Sequence, residues 1–135
     1  RVYVDKDLIH QVLWNLFINS LEAMPHGGQI KIMVRKTTLF LRDAVEVVIA
    51  DTGTGIPSEE LGKVFEPFYT TKAEGTGLGL SMVQRIIDDH GGTIDVKSKE
   101  GKGTTFYIKL HGPIGDENEA VNNNFSRMIK DYGRR

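Results

Sequence analysis

Three groups of residues in this 135-residue chain could do chemistry together. Gly75, Gly77 and Gly79, in the stretch EGTGLGL at 74–80, bare the backbone at alternate positions just ahead of a helical pattern. Glycine lets a backbone approach an anion with no Cβ in the way, and a helix N-terminus adds unpaired N–H groups and partial positive charge. That combination suits a phosphate; it also suits a flexible loop that merely leads into a helix. Asp51 opens a second stretch, DTGTG, with Gly53 and Gly55 behind it. A carboxylate at a strand end can accept a hydrogen bond from an exocyclic amine while a flat base slides over the glycines, and an ordinary Asp-led turn has the same composition. Gln11, Asn15, Asn19 and Glu22, spaced for one helix face, form the third group. An amide oxygen there can share Mg²⁺ with phosphates, because Mg²⁺ takes oxygen ligands and keeps several waters. A solvated helix face would look alike, although two asparagines in mid-helix work against helix propensity.

The familiar glycine fingerprints do not fit. The dinucleotide pattern G-x-G-x-x-G needs a glycine where this chain has Leu80 or Met82, and a strand running straight into it. The P-loop needs G-K-[ST] after four spacer residues, and no segment supplies it.

The elements that must hold these residues follow from periodicity. Leu8, Ile9, Val12, Leu13, Leu16, Phe17, Leu21 and Met24 recur at helical spacing, with Asp5 placed as N-cap and PHGG at 25–28 as the stop. QIKIMVRK at 29–36 alternates as a strand, and AVEVVIAD at 44–51 reads as a more buried one; TTLFLRD between them can extend the hairpin. From Gly53 to Gly77 a loop is expected, with a short helix at 58–64. A second helix is expected from Leu78 to His90, closed by Gly91-Gly92. TIDVKS and TTFYIKL form a closing strand pair turned at KEGKG. The order α-β-β-loop-α-β-β predicts an α/β (α+β) two-layer sandwich, a mixed, mostly antiparallel sheet with helices on one face. Residues 1–110 form that domain, and 111–135 a polar tail or short appended helix patterned on Phe125, Met128 and Ile129.

Bulk properties narrow the class. Apolar residues make up 39%, enough for one core. Seventeen basic against 18 acidic residues, net charge -1, argue against a nucleic-acid binder. With no cysteine there is neither a disulfide framework nor a thiolate metal site. Apolar runs fall well short of a membrane span, so no direct membrane contact is expected. The chain starts at Arg1 and is expected to be a piece of a longer, cytoplasmic or membrane-anchored protein with its working part in the cytoplasm.

In this order the segments resemble the ATP-binding catalytic domain of sensor histidine kinases, the Bergerat-fold group that also includes type II topoisomerases, mismatch-repair ATPases and a chaperone ATPase. QVLWNLFINSLEAM resembles the N box, DTGTGIP the first glycine box, VFEPFYTTK the F box and GTGLGLSMV the second glycine box, with GKGTTFYIKL closing the match. FEPFYTTK is most similar to the nitrogen-regulation type. The resemblance implies Mg-ATP as ligand. It implies that Asn19 binds Mg²⁺, that Asn15 stands beside the phosphates and that Asp51 takes the adenine amino group. Gly53 and Gly55 would then shape the pocket, and Thr104 would lie on the adenine side. Phe65 and Phe68 would anchor a lid spanning 56–79, and Gly75, Gly77 and Gly79 would wrap the phosphates. Ile56, Thr71, Thr76, Leu78 and Leu80 join the nucleotide-contacting positions.

Departures from the family sharpen the expectation. The ATPases of the group carry a glutamate base where this chain has Asn15; an amide takes no proton at neutral pH, which favours transfer to a protein over hydrolysis. Glu22 stands where some kinases have a basic residue. Thr70 replaces a lid arginine, and Lys72 is the candidate to supply positive charge to the γ-phosphate, or else a solvated lysine. His10, His26, His90 and His111 lack the acceptor box, so the phosphoacceptor histidine is expected on a dimerisation domain elsewhere in the parent chain, with a response regulator receiving the phosphoryl group. A serine-directed protein kinase of the anti-sigma or dehydrogenase-kinase type, or a degenerate ATP-binding regulatory module, are the other outcomes the motifs allow.

Overall fold

The computed structural model describes residues 4–69 and 79–111. Helix α1 spans Lys6–Glu22, strands β1 Ile30–Leu39 and β2 Arg42–Asp51, helix α2 Gly79–Asp89, and strands β3 Thr93–Lys99 and β4 Gly103–His111. The expected short helix at 58–64 is a single 3-10 turn, Leu61–Lys63, inside a run of turns. Gly62, a poor helix former, sits in the middle of the expected span.

Asp5 caps α1: its side chain accepts from the backbone N–H groups of Asp7 and Leu8, at 3.0 and 3.2 Å. The stripe that buries is Ile9, Val12, Leu13, Leu16 and Ser20. Leu8 and Leu21, also apolar at helical spacing, lie about 100° or more off that stripe and stay exposed. The helix ends where Thr54 donates to the Ala23 carbonyl at 3.0 Å.

The sheet order is β1-β2-β4-β3, and every pairing is antiparallel. Nothing parallel occurs among the described residues, so the sheet is the antiparallel form of the expected mixed one. The first hairpin extends through its connection, as the sequence allowed, and closes on Phe40 and Leu41, both at positive φ (50° and 62°). That is the two-residue turn whose twist matches paired strands, made here without Asn or Gly.

One face of the sheet carries Val45, Val47, Ile49, Phe106, Ile108 and Leu110, and the stripes of α1 and α2 (Val83, Ile86, Ile87) cover it. Each of these side chains contributes about 1.5–3 kcal/mol when fully buried. On the opposite face Glu46, in central strand β2, is buried beneath its cross-strand neighbours Arg35 and Lys109, both in ion-pair range of its carboxylate. Among the described residues no helix is long and apolar enough to cross a membrane.

The helices run antiparallel: the Gln11 side chain donates to Met82 Sδ at 3.2 Å, and the Asp5 N–H donates to His90 Nε2 at 2.9 Å. The C-terminus of α1 and the N-terminus of α2 therefore share the end of the sheet where β2 finishes at Asp51.

Candidate functional site

Asp51 closes β2 on the helix-covered face and is 8% exposed. Its Oδ1 accepts two backbone N–H groups, from Gly53 at 2.9 Å and from Thr104 at 3.2 Å. The register that pairs Ala50 with Thr105 and Thr104 with Ser98 continues as a row, Asp51, Thr104, Ser98, across β2, β4 and β3. The carboxylate is thus fixed in rotation by one oxygen, which leaves the other for a ligand.

The first glycine stretch is folded by close approaches that only glycine allows. A Cβ on Gly53 would stand 2.7 Å from both the Ala23 carbonyl oxygen and the Ala23 Cβ. Gly55, at φ +72°, has its open side against the backbone of Lys99, and Gly101 donates to the Thr54 carbonyl at 2.7 Å. These glycines bring α1 and the β3–β4 turn up to the loop, a packing role that sequence reasoning had not separated from pocket shaping. Ile56 N–H donates to Ser98 Oγ at 2.7 Å, which pins the start of the next segment to β3.

At the other end of the site Asn15 and Asn19 are half-buried, whereas Gln11 and Glu22 are exposed. The polar face does not point only to solvent. A Cβ built on Gly79 would lie 4.0 Å from Asn15 Oδ1, so the first residue of α2 looks onto that amide. Among the described residues Asn15 Nδ2 is buried with no hydrogen-bond partner, a donor beside the N-terminus of α2. Leu80 follows Gly79 and packs against the core.

Phe65 is half-buried, edge-on to Phe106 with ring centroids 6.4 Å apart. Phe68, expected to anchor beside it, is instead 76% exposed at φ +66°. Of the two rings, Phe65 packs on the sheet and Phe68 does not. Behind it Tyr69 donates to the Glu60 carboxylate; that hydrogen bond, then burial and the Glu60 charge, push the phenol from 10.0 up to about 12. Thr70, Thr71, Lys72, Gly75, Thr76, Gly77 and Leu78, and the tail from 112, lie outside the described residues.

The structure brings Asp51, Gly53, Gly55, Ile56 and Thr104 together at one end of the sheet, and Asn15 together with Gly79. Ser98 was missed: in sequence it is one polar position in an alternating strand. No cluster of three or more His, Cys, Asp or Glu side chains among the described residues could hold a metal ion by itself.

Residues 4–114 match the family described as "Histidine kinase-, DNA gyrase B-, and HSP90-like ATPase". The sensor histidine kinase ZraS of Klebsiella oxytoca is 44% identical over 119 residues, 87% of this chain and 25% of that protein. Sensor kinase CckA of Brucella abortus is 48% identical over 122 residues, 81% of this chain and 13% of that protein. Among solved structures, the mycobacterial sensor histidine kinase MprB superposes with TM-score 0.73 at 30% identity, covering 84% of this chain and 78% of that one. The catalytic domain of histidine kinase ThkA gives 0.68 at 40% identity, covering 80% and 68%. The chain spans a quarter or less of the two sensor kinases' lengths. It belongs to the histidine kinase-, DNA gyrase B- and HSP90-like ATPase family, as an ATP-binding domain of the sensor histidine kinase type.

Proposed function

We propose that this domain binds Mg-ATP and transfers its γ-phosphoryl group to a histidine on a dimerisation domain of the parent chain, which then passes it to a response-regulator aspartate. The observation that carries the transfer reading is the meeting of Asn15 with Gly79 at the N-terminus of α2. The helix end supplies N–H groups and positive partial charge for phosphates, and the side chain beside it is an amide. An amide orients and donates but takes no proton from water, so this site favours a protein acceptor over hydrolysis.

Asp51 would receive the adenine amine on the oxygen that Gly53 and Thr104 leave open, with Ile56 and Thr104 around the base. Asn19, one turn on from Asn15, would offer its amide oxygen to Mg²⁺. The residues fit such an ion: one neutral oxygen donor suits a cation whose other ligands are phosphate oxygens and water. When bound, Mg²⁺ neutralises charge on the β- and γ-phosphates. Lys72 would add positive charge, Thr71, Gly75, Thr76, Gly77 and Leu78 would complete the phosphate cover, and Phe65 and Phe68 would sit under and beside it. The reaction belongs to the cytoplasm, where ATP is held.

The test uses the parent chain with γ-labelled ATP and Mg²⁺. Protein-bound label lost in acid and kept in alkali is the expected phosphohistidine; acid-stable label would place the acceptor on serine. Asn19→Ala should abolish labelling, and full labelling in that variant would remove Asn19 as the metal ligand.

A further inference from the structure

We infer that Ser98 sets the base selectivity of the nucleotide site by fixing the Thr104 hydroxyl as a hydrogen-bond acceptor. The inference rests on the base-binding role proposed for Asp51 and adds a residue outside the glycine boxes.

The geometry leaves little freedom. Ser98 Oγ has one hydrogen and two acceptor sites. The Ile56 N–H donates to it at 2.7 Å. The Gly103 carbonyl, 2.9 Å away, can only accept, so the Ser98 hydrogen goes there. Thr104 Oγ1 is the third neighbour, at 2.8 Å. With the Ser98 hydrogen committed to Gly103, the Thr104 hydroxyl donates to Ser98, and all three positions on Ser98 are used. Thr104 is 6% exposed, so an unmade hydrogen bond there would be costly. What Thr104 then offers is lone pairs.

Asp51 reaches the same state by a different route: Gly53 and Thr104 N–H groups occupy Oδ1, and its other oxygen carries lone pairs. Asp51 and Thr104 are neighbours on one face of the sheet. The rim at this end therefore presents two acceptors side by side. A 6-amino purine brings an N–H₂ to such a rim, directly or through a water. A 6-oxo purine puts a carbonyl at the position of that amine and meets lone pairs with lone pairs there, its N1–H donor lying one ring position away. Without Ser98 the Thr104 hydroxyl can rotate and donate, and that half of the discrimination disappears.

Ser98 acts through Thr104 and is a positioning residue. Loosening the fold alone would weaken ATP and ITP together; loss of the wiring changes their ratio. ATP and ITP affinities of this chain are measured by calorimetry with Mg²⁺, with folding followed by circular dichroism. The wild type should prefer ATP. Ser98→Ala should lower the ATP:ITP ratio about five- to tenfold, and Ser98→Thr, which keeps a hydroxyl on the same carbon, should restore it. Thr104→Val removes the acceptor from the other side and should lower the ratio likewise, which keeps the test standing if Ser98→Ala fails to fold. An unchanged ratio in Ser98→Ala, or in Thr104→Val if Ser98→Ala does not fold, overturns the role of Ser98 and leaves the base site intact. A wild type without preference for ATP overturns the base-site reading itself, and this inference with it.

Discussion

The backbone N–H of Asp5 donates to Nε2 of His90 at 2.9 Å, across 85 residues of sequence. The other ring nitrogen lies 2.6 Å from the Ile86 carbonyl, which can only accept, so Nδ1 holds the proton and Nε2 is the free acceptor. The end of α2 is thus tied to the cap of α1, at the opposite end of the helix pair from Asn15 and Gly79. His90→Ala removes an acceptor from the Asp5 N–H and should cost about 1 kcal/mol of stability, read as the shift in denaturant midpoint. ATP affinity should stay within a factor of about two. A His90→Ala domain as stable as the wild type would mean that solvent replaces this bond without loss.

The buried carboxylate of Glu46 depends on Arg35, whose side chain is 58% exposed, more than on Lys109 at 4.0 Å. Arg35→Met strips a buried charge of its main partner and should cost about 1–3 kcal/mol. Arg35→Met combined with Glu46→Leu removes the charge as well, and should be the more stable of the two variants. The comparison of their unfolding midpoints decides it; a double variant less stable than Arg35→Met would show that packing, not the stranded charge, governs this face.

Gly53 and Gly79 should separate two uses of glycine. A Cβ on Gly53 collides with Ala23, so Gly53→Ala should cost about 1–3 kcal/mol of stability. Among the described residues outside its own helix, a Cβ on Gly79 meets nothing closer than Asn15 Oδ1 at 4.0 Å, and alanine is the better helix former. Gly79→Ala should therefore fold as well as the wild type or better, yet bind ATP more weakly, because the phosphates need the space. Equal ATP affinity would remove close phosphate approach as the reason for that glycine.

Tyr69 links the stability of the 57–69 segment to alkaline pH. Its phenol, held by Glu60, sits near 12 in the folded chain against an ordinary 10.0. The folded form keeps the proton longer than the unfolded one. The stabilisation is therefore complete below pH 10 and is lost as pH rises through about 12. The stability gap between wild type and Tyr69→Phe should be constant up to about pH 9 and shrink above pH 10, followed by denaturant melts. A gap that does not change with pH would contradict the Glu60 link.

What the sequence revealed followed from periods and end signals. Asp5 was legible as a cap because the apolar repeat begins directly after it, and the first hairpin because an alternating run and a more buried run are joined by a connection that can itself continue the strands. Ser20 was not, because a serine inside an apolar stripe carries no periodic signal. Phe40-Leu41 gave no turn signal, since the left-handed φ at both positions is imposed by the pairing of ten-residue strands. Asp51 and the glycines of the site were legible as types at a spacing. The contacts that orient them were not: Thr104 to Asp51 spans 53 residues and Ser98 to Ile56 spans 42, and such links exist only once β2, β4 and β3 lie side by side. Phe65 and Phe68 looked equivalent in sequence, and only the folded chain separates the packed ring from the exposed one.

Under the proposed function the open oxygen of Asp51 receives the base of ATP, and Asp51→Asn addresses that contact directly. Asparagine keeps the shape, and its oxygen can still accept from Gly53 and Thr104. In place of the open oxygen it then presents an N–H₂, which faces the amine of adenine donor to donor. Calorimetric titration with Mg-ATP should show affinity weakened by at least about tenfold, with the fold intact by circular dichroism. Wild-type affinity in Asp51→Asn would contradict the account.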